Sequence, residues 1–346
     1  MKPLLLACGL PLRQDHPSSF QRQLELLAAA WRASGREVEL TGPRSEGLAR
    51  TGAAILLGYP DQFPALLDPP PEVPLFLWAQ CSRPPDPRGF AAVTAVPLTP
   101  TTEAFLRRAG VGRIGPVIPH AVDTEFFRPP AAGQRARARR ALGRDFIVGA
   151  VGAHTYRKRF DLVLRACALL RAGLPEAVLV LHTDRVVSAE GTDLARLAEG
   201  LGLRLGEGLR LSTGELSAAG LRRLYWGLDV LMSLSEWEGF GLPAAEAMAC
   251  GLPVLTHGAQ GPAELVPYRD LFAADSAVRM EGGSLLLEAR PGTAAELLAR
   301  AAREPDLRGR LGAAGRAAMV RACSLPRVLA GWDRLLNGCK PAGYSR

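Results

Sequence analysis

Two carboxylates, Glu238 and Glu246, flank the stretch Gly239-Phe-Gly-Leu-Pro-Ala-Ala. One acid therefore stands before a glycine-rich turn and the other about one helical turn beyond it. Pro243 suits the first position of a helix, where its missing N–H costs nothing. No Ser, Thr, Asp or Asn precedes it as a cap, because Gly241 and Leu242 stand there. The first amides of that helix are then left for something other than a side chain, and an anion is their natural partner. Gly239, Phe240, Gly241 and Leu242 form the ligand loop, its two glycines letting backbone come close to that anion. An ionised carboxylate only accepts hydrogen bonds, so Glu246 suits the vicinal hydroxyls of a ribose better than a phosphate. Glu238 then faces the other end of the same ligand. Spacing alone also fits a capping acid and a surface acid on an ordinary helix.

A second cluster is Val151-Gly-Ala-His154-Thr-Tyr-Arg157-Lys158-Arg-Phe-Asp161. The lysines are Lys2, Lys158 and Lys340, among basic residues that are otherwise all arginine. A lysine at this place suggests that a compact, mobile point charge is wanted. The competing reading is a basic helix start, which the macrodipole disfavours. His154 and His182 end strands on the ligand side, where they either touch a ligand or sit satisfied in the core. Thr213, Gly214 and Glu215 follow another strand end and are candidates for reading a base. Neither GxGxxG nor GxxxxGK[ST] occurs, which removes the main support for dinucleotide-dependent hydride transfer and for NTPase chemistry. No His/Cys cluster has metal-ligand spacing, and no bound metal or cofactor is expected.

Alternating apolar runs and amphipathic segments must hold these residues. Leu4–Cys8, 37–40, 53–57, 73–78 and 92–97 read as strands, with helices over 20–34 and 101–109 and a further short segment at 116–119. The alternation resumes with strands at 146–151, 177–182, 209–212, 230–234 and 253–256. Helices fall at 159–172, 192–200, 217–227 and 243–250, and a last one starts after Ser324 at about 325–336. This is the pattern of βα units feeding a parallel sheet. At 346 residues the length suggests two domains. The reading is α/β, two Rossmann-like doubly wound domains facing across a cleft. Residues 1–130 form the first and 131–324 the second. Residues 325–346 then form a helix crossing back to the first. Ligands of such sheets bind outside the carboxyl ends of the strands, where the loop after 230–234 lies.

Hydrophobic residues make up 48% and charged residues 22%, a globular composition. The start, Met-Lys-Pro-Leu-Leu-Leu-Ala-Cys-Gly, imitates a signal peptide, but Gly9 and Pro11 interrupt its apolar stretch and it reads as a buried strand. No apolar run approaches the ~20 residues that span a bilayer. Cys8, Cys81, Cys167, Cys250, Cys323 and Cys339 form no CxxC pair and sit mostly among apolar neighbours, as reduced core cysteines do, so a cytoplasmic location is expected. Net charge is +8, of which residues 1–128 carry +1. The run Arg135-Ala-Arg-Ala-Arg-Arg140 reads as a solvated helix face, and without interleaved aromatics nucleic acid is not an expected partner. The amphipathic segment 20–34 leaves a peripheral contact with the inner face of a membrane open, though a core-facing helix explains it equally.

The string Glu238-Gly-Phe-Gly-Leu-Pro-Ala-Ala-Glu246-Ala-Met-Ala-Cys-Gly-Leu-Pro-Val254 resembles the GT-B glycosyltransferases of the retaining group called family 4, whose hallmark is Glu, seven residues, Glu. The resemblance extends over most of the chain and implies that 1–130 is the acceptor-side domain and 131–324 the nucleotide-sugar-binding one. It implies that Glu246 holds the ribose of a sugar nucleotide and that Glu238 contacts the donor sugar. The 151–161 segment looks like the family's Gly-Arg-Leu-x-x-x-Lys-Gly-x-Asp, whose Arg and Lys clamp the donor diphosphate. Lys158 and Asp161 match, Ala153 stands where the Arg should be, and Arg157 is the candidate for the missing charge. Val117-Ile-Pro-His-Ala-Val-Asp123 resembles the close of the family's first domain, with His120 and Ala121 in place of Asn-Gly, and His120 is expected as a hydrogen-bonded linker residue. Pro17-Ser-Ser-Phe20 and Ala79-Gln-Cys-Ser82 replace the usual Gly-Gly turn and His of the first domain, with Ser18 or Ser19 as a helix cap. The implied activity is metal-independent transfer of a hexose-type sugar from a UDP- or GDP-linked donor to a hydroxyl of a saccharide, lipid or small molecule, with retention. The alternatives are a GT-B sugar-nucleotide epimerase or hydrolase, and a non-catalytic sugar-nucleotide-binding protein.

Overall fold

The computed structural model describes residues 2–14, 18–43, 48–63, 73–81, 83–140, 142–143, 146–258, 261–273, 276–281 and 284–338. Pro17, Ser82, Cys339 and Lys340 lie outside them. The chain divides into two units, Met1–Ala121 with Ala322–Arg346, and Val122–Arg321.

In the first unit, β1 (Leu4–Cys8), α1 (Ser19–Ala33), β2 (Val38–Thr41), β3 (Ala53–Leu57), β4 (Leu75–Ala79), β5 (Thr94–Pro97) and α2 (Pro100–Arg108) follow one another. The strands are parallel in the order β2-β1-β3-β4-β5. Continuous apolar runs such as Leu4-Leu-Leu-Ala-Cys8 make strands buried on both faces, as a sheet covered by helices requires. Leu24, Leu27, Ala28 and Trp31 recur at helical spacing along α1 and are buried. The short segment expected at 116–119 forms no strand. A single bridge pairs Ile114 with Ala95, and the Ile118 amide donates to the Pro97 carbonyl at 2.9 Å. Pro116 and Pro119 have no N–H to give a ladder.

The second unit continues with α3 (Gln134–Arg140), β6 (Ile147–Val151), α4 (Phe160–Gly173), β7 (Val178–Thr183), α5 (Leu194–Gly200), β8 (Leu209–Thr213) and α6 (Ala218–Gly227). After these come β9 (Val230–Met232), α7 (Leu242–Ala249), β10 (Val254–His257), α8 (Pro262–Leu265) and β11 (Phe272–Ala273). Its six-stranded sheet runs β11-β10-β9-β6-β7-β8, parallel throughout. The antiparallel hairpin of β12 (Ser276–Glu281) and β13 (Ser284–Ala289), then α9 (Pro291–Arg303) and α10 (Pro305–Ala322), fill a stretch to which the sequence reading assigned nothing. Both sheets thus belong to α/β units of doubly wound type. The last helix, α11 (Leu325–Gly338), belongs to the first unit. There Trp332 packs edge-on against Trp78, with ring centroids 5.4 Å apart, and Asp333 accepts from Trp31 Nε1 at 3.0 Å.

The basic run at 135–140 is not simply a solvated face. Arg135 and Arg139 each donate to the buried carboxylate of Asp229 at 2.8 Å, and the Ile147 amide donates to the same group at 2.9 Å. A buried carboxylate is strongly disfavoured unless it is paired and hydrogen-bonded. The two arginines therefore clamp α3 onto the start of β6 and β9. Arg137 and Arg140 remain exposed.

Candidate functional site

In the second sheet the strand order reverses between β6 and β9. From β6 the chain moves outward to β7 and β8, then returns to add β9, β10 and β11 on the other side. The crevice beyond the carboxyl ends at such a reversal is where these sheets bind ligands. The turn Tyr156–Lys158 follows β6, and the loop carrying Glu238 follows β9. The two loops are stitched backbone to backbone, the Glu236 amide donating to the Arg157 carbonyl at 2.7 Å.

Charge converges on Glu238. Lys158 Nζ donates to its Oε1, Ser235 Oγ donates to the same oxygen at 3.1 Å, and Arg157 Nη1 lies 3.6 Å away. The lysine and glutamate side chains are 10% and 5% exposed, so this pair is screened far less than a surface pair would be. Burial, then the neighbouring Arg157 guanidinium, pulls the Lys158 ammonium down from 10.5 to about 7. The Glu238 carboxylate opposes that pull and favours the charged form. Arg157 also lies over the Trp237 ring at 5.0 Å, a contact that keeps its charge at the mouth of the site. Gly152 permits the arrangement: a Cβ there would sit 3.0 Å from Lys158 Cε.

Helix α7 begins at Gly241, whose φ of 92° is left-handed and which makes no side-chain cap. Pro243 lies in the first turn. Ala244, Ala245, Ala247, Met248 and Ala249 are buried, and Glu246 is half-buried one turn in. Glu246 accepts a hydrogen bond from Tyr225 Oη at 2.9 Å. Tyr225 comes from the buried face of α6, where sequence pattern alone gives it the look of a core residue. A buried tyrosine hydroxyl needs a partner, which was the available signal. A small cavity beside the site is lined by Val151, Lys158, Phe160, Ser235, Glu238 and Pro243, among others.

The remaining candidates are placed less centrally. His154 follows β6 and is buried; its amide donates to Asp184 Oδ1 at 2.6 Å, and its Nδ1 has no hydrogen-bond partner among the described residues. Phe240 is buried, while Gly239 and Leu242 are half-buried in the loop before α7. His182 pairs with Ser212 Oγ at 3.1 Å, and burial lowers its pKa. Thr213, Gly214 and Glu215 are exposed at the end of the edge strand β8, with β7 between them and β6, and are not part of the Lys158–Glu238 cluster. His120 is buried in the first unit with its ring edge-on to Trp78 at 4.7 Å, and burial drives it down to about 3, so it stays neutral near pH 7. Asp161 accepts two hydrogen bonds from Arg159. Among the described residues no group of three His, Cys, Asp or Glu is arranged to hold a metal ion.

The family model described as "Glycosyl transferases group 1" matches residues 134–317. The chain belongs to that family. A D-inositol 3-phosphate glycosyltransferase of Mycobacterium marinum is 36% identical over 165 residues, which are 45% of this chain and 32% of that protein. The sucrose-phosphate synthase structure from Thermosynechococcus elongatus superposes with a TM-score of 0.77 at 15% identity, covering 97% of this chain and 99% of that one. The Anabaena protein HepE, solved with UDP-glucose, gives 0.72 at 14% identity over 97% and 99%. These likenesses show the fold, the two parallel-sheet α/β units of GT-B glycosyltransferases. The chain spans about a third to a half of the length of curated relatives that it matches. Among the described residues no helix is long and apolar enough to cross a membrane.

Proposed function

We propose that this protein transfers a hexose-type sugar from a UDP- or GDP-linked donor to an acceptor hydroxyl with retention at the anomeric carbon. The observation that carries the reading is the convergence of Lys158 and Arg157 on Glu238 at the strand-order reversal, beside a helix whose N-cap, Gly241, has no side chain to cap it. Family membership and the UDP-glucose in HepE support a nucleotide-sugar donor.

Glu246, steadied by Tyr225, takes the ribose hydroxyls, and Glu238 takes a hydroxyl of the donor sugar. Lys158, Arg157 and the amides of 239–242 face the diphosphate. In the reaction the bond from the anomeric carbon to the β-phosphate oxygen breaks, and its electron pair stays on the diphosphate. The acceptor oxygen bonds to the same face, and its proton passes to that phosphate oxygen. Charge therefore develops on the leaving group, and fixed cations and amides aimed there stabilise it without reorganising. We assign this role to the protein's own groups without a metal, so turnover should survive EDTA. His154 stands close enough in sequence to contact the donor, whereas 213–215 are at most a peripheral base contact.

The test is a panel of UDP-, GDP- and ADP-sugars, first by thermal shift, since a ligand of the native state raises its stability. Nucleotide release is then measured with saccharide, lipid and small hydroxyl acceptors, and the product anomer is read by NMR. Release without an acceptor points to a hydrolase or epimerase. Binding without any turnover points to a non-catalytic binder, the reading that Ala153 favours. An inverted product sinks the retaining mechanism.

A further inference from the structure

We propose that Arg159 is a positioning residue for the phosphate-binding turn, its guanidinium tying together carboxylates from three elements and so fixing Lys158 opposite Glu238. This rests on the reading of the site as a diphosphate site.

Arg159 is the one non-glycine residue with positive φ among the described residues, at φ 49° and ψ 46°. An L-residue is disfavoured there, whereas glycine adopts it freely. Backbone shape alone would favour glycine, so what the arginine adds must lie in its side chain. That side chain is buried and forks. Nε and Nη2 reach the two oxygens of Asp161 at 3.1 and 3.0 Å, at the start of α4. Nη2 also reaches Glu288 Oε1 at 2.5 Å, at the end of β13. Nη1 lies 3.7 Å from Glu236 Oε1, in the loop that carries Glu238. The guanidinium also sits over the Tyr156 ring at 5.7 Å.

The left-handed residue separates two neighbouring cations by role. Lys158 packs over Gly152 and donates to Glu238, while Arg159 turns to Asp161, Glu236 and Glu288. Glu236 is two residues from Glu238, and its amide is bonded to the Arg157 carbonyl. Holding Glu236 therefore fixes the register between the turn that bears Lys158 and the loop that bears its partner. His257 belongs to the same support: its Nε2 faces the Ser235 carbonyl at 2.8 Å, and burial keeps it neutral near Arg159 and Glu288. A planar fork reaching several carboxylates at once is a task for arginine rather than lysine.

Three variants of the full chain, Arg159→Gly, Arg159→Lys and Glu288→Gln, test the role by calorimetric titration with UDP and GDP from pH 6 to 9, beside their melting midpoints. Arg159→Gly keeps the backbone conformation and deletes the fork. It should melt below the parent, because the buried Glu236 loses the guanidinium that faces it, and while still folded it should bind the nucleotide roughly ten-fold more weakly. The pH midpoint of its binding should rise toward the ordinary lysine value as Lys158 loses its buried place. Arg159→Lys should restore little of this, because it keeps the charge without the fork. Glu288→Gln, which leaves the turn untouched, should weaken binding in the same direction by roughly three-fold, and it carries the test if Arg159→Gly does not fold. Affinity and pH midpoint unchanged in the folded variants would overturn the positioning role alone. A parent chain that binds neither UDP, GDP nor ADP would overturn the diphosphate reading, and the positioning role with it.

Discussion

The two sheets reverse their strand order in the same way, the first between β1 and β3 and the second between β6 and β9, yet the two places are furnished differently. At the first, α1 is capped by Ser18, whose Oγ accepts from the Gln21 amide at 3.1 Å, and Leu10, Leu12 and Tyr59 stand exposed nearby. At the second, the N-cap of α7 is Gly241, which has no side chain to cap it, and the side chains of Lys158, Arg157 and Glu238 gather beside it. One topology thus makes two crevices, and the side chains decide which of them suits an anion. A capped helix has spent one of its free amides internally, whereas an uncapped one keeps them for a ligand.

The sharpest way to break this contrast is Lys158→Ala. If the second crevice stabilises charge developing on a diphosphate, turnover should fall roughly 10²–10³-fold, the range for removing a preorganised charge-stabilising group. The melting midpoint should drop modestly, because Glu238 loses its nearest cation but keeps Ser235 and Arg157 and the lysine's own burial disfavours its charge. A rate equal to the parent's would end the assignment. The pH dependence follows from the same group. Phosphate favours the ammonium, so affinity for UDP or GDP should weaken as pH rises above about 7. Titration in buffers of different ionisation enthalpy should show a proton taken up on binding in that upper range. For stability the sign is opposite. The folded pKa is depressed, so the cost of burying this charge is full below about 7 and fades as pH rises toward 10.5.

Gly241→Ala should act next most strongly. The left-handed φ of 92° is strained for alanine, and its Cβ would meet Pro262 Cγ at 2.5 Å and Glu238 Oε2 at 3.0 Å. We expect nucleotide affinity to fall roughly ten-fold, with a loss of about 1–3 kcal/mol in stability from the strained backbone. Calorimetric titration and a denaturant melt of the same preparation separate the two.

How much of this the sequence shows depends on how local each signal is. Leu4–Cys8 and Ala53–Leu57 are read to the residue because buried parallel strands are continuous apolar runs. Helices α1, α4, α6 and α7 shift by about one residue, the usual uncertainty at frayed ends. The relation of Glu238 to Glu246 is legible because both lie within one loop and one turn. What joins distant segments is not. Nothing in the local sequence says that Tyr225 meets Glu246 or that Arg159 reaches Glu288. Asp229 between Leu228 and Val230, a lone acid inside an apolar run, was a readable hint that Arg135 and Arg139 had a buried partner. The hairpin at 276–289 is not legible where the βα alternation stops, since two short strands in sequence carry little period.

The smallest effect completes the comparison from the first unit. Ser18→Ala removes the hydroxyl that accepts from Gln21, and loss of a helix cap costs about 1 kcal/mol. The melting midpoint should fall by about 2–4 °C. Affinity for UDP or GDP should stay at the parent value, because no part of the proposed nucleotide site lies in that unit. The contrast needs both halves of this result. A stability loss with affinity intact says that the first helix tip is a structural end, finished by its own side chain. A loss of nucleotide affinity would mean that the first crevice also handles the diphosphate, and the division of labour drawn from the caps would be wrong.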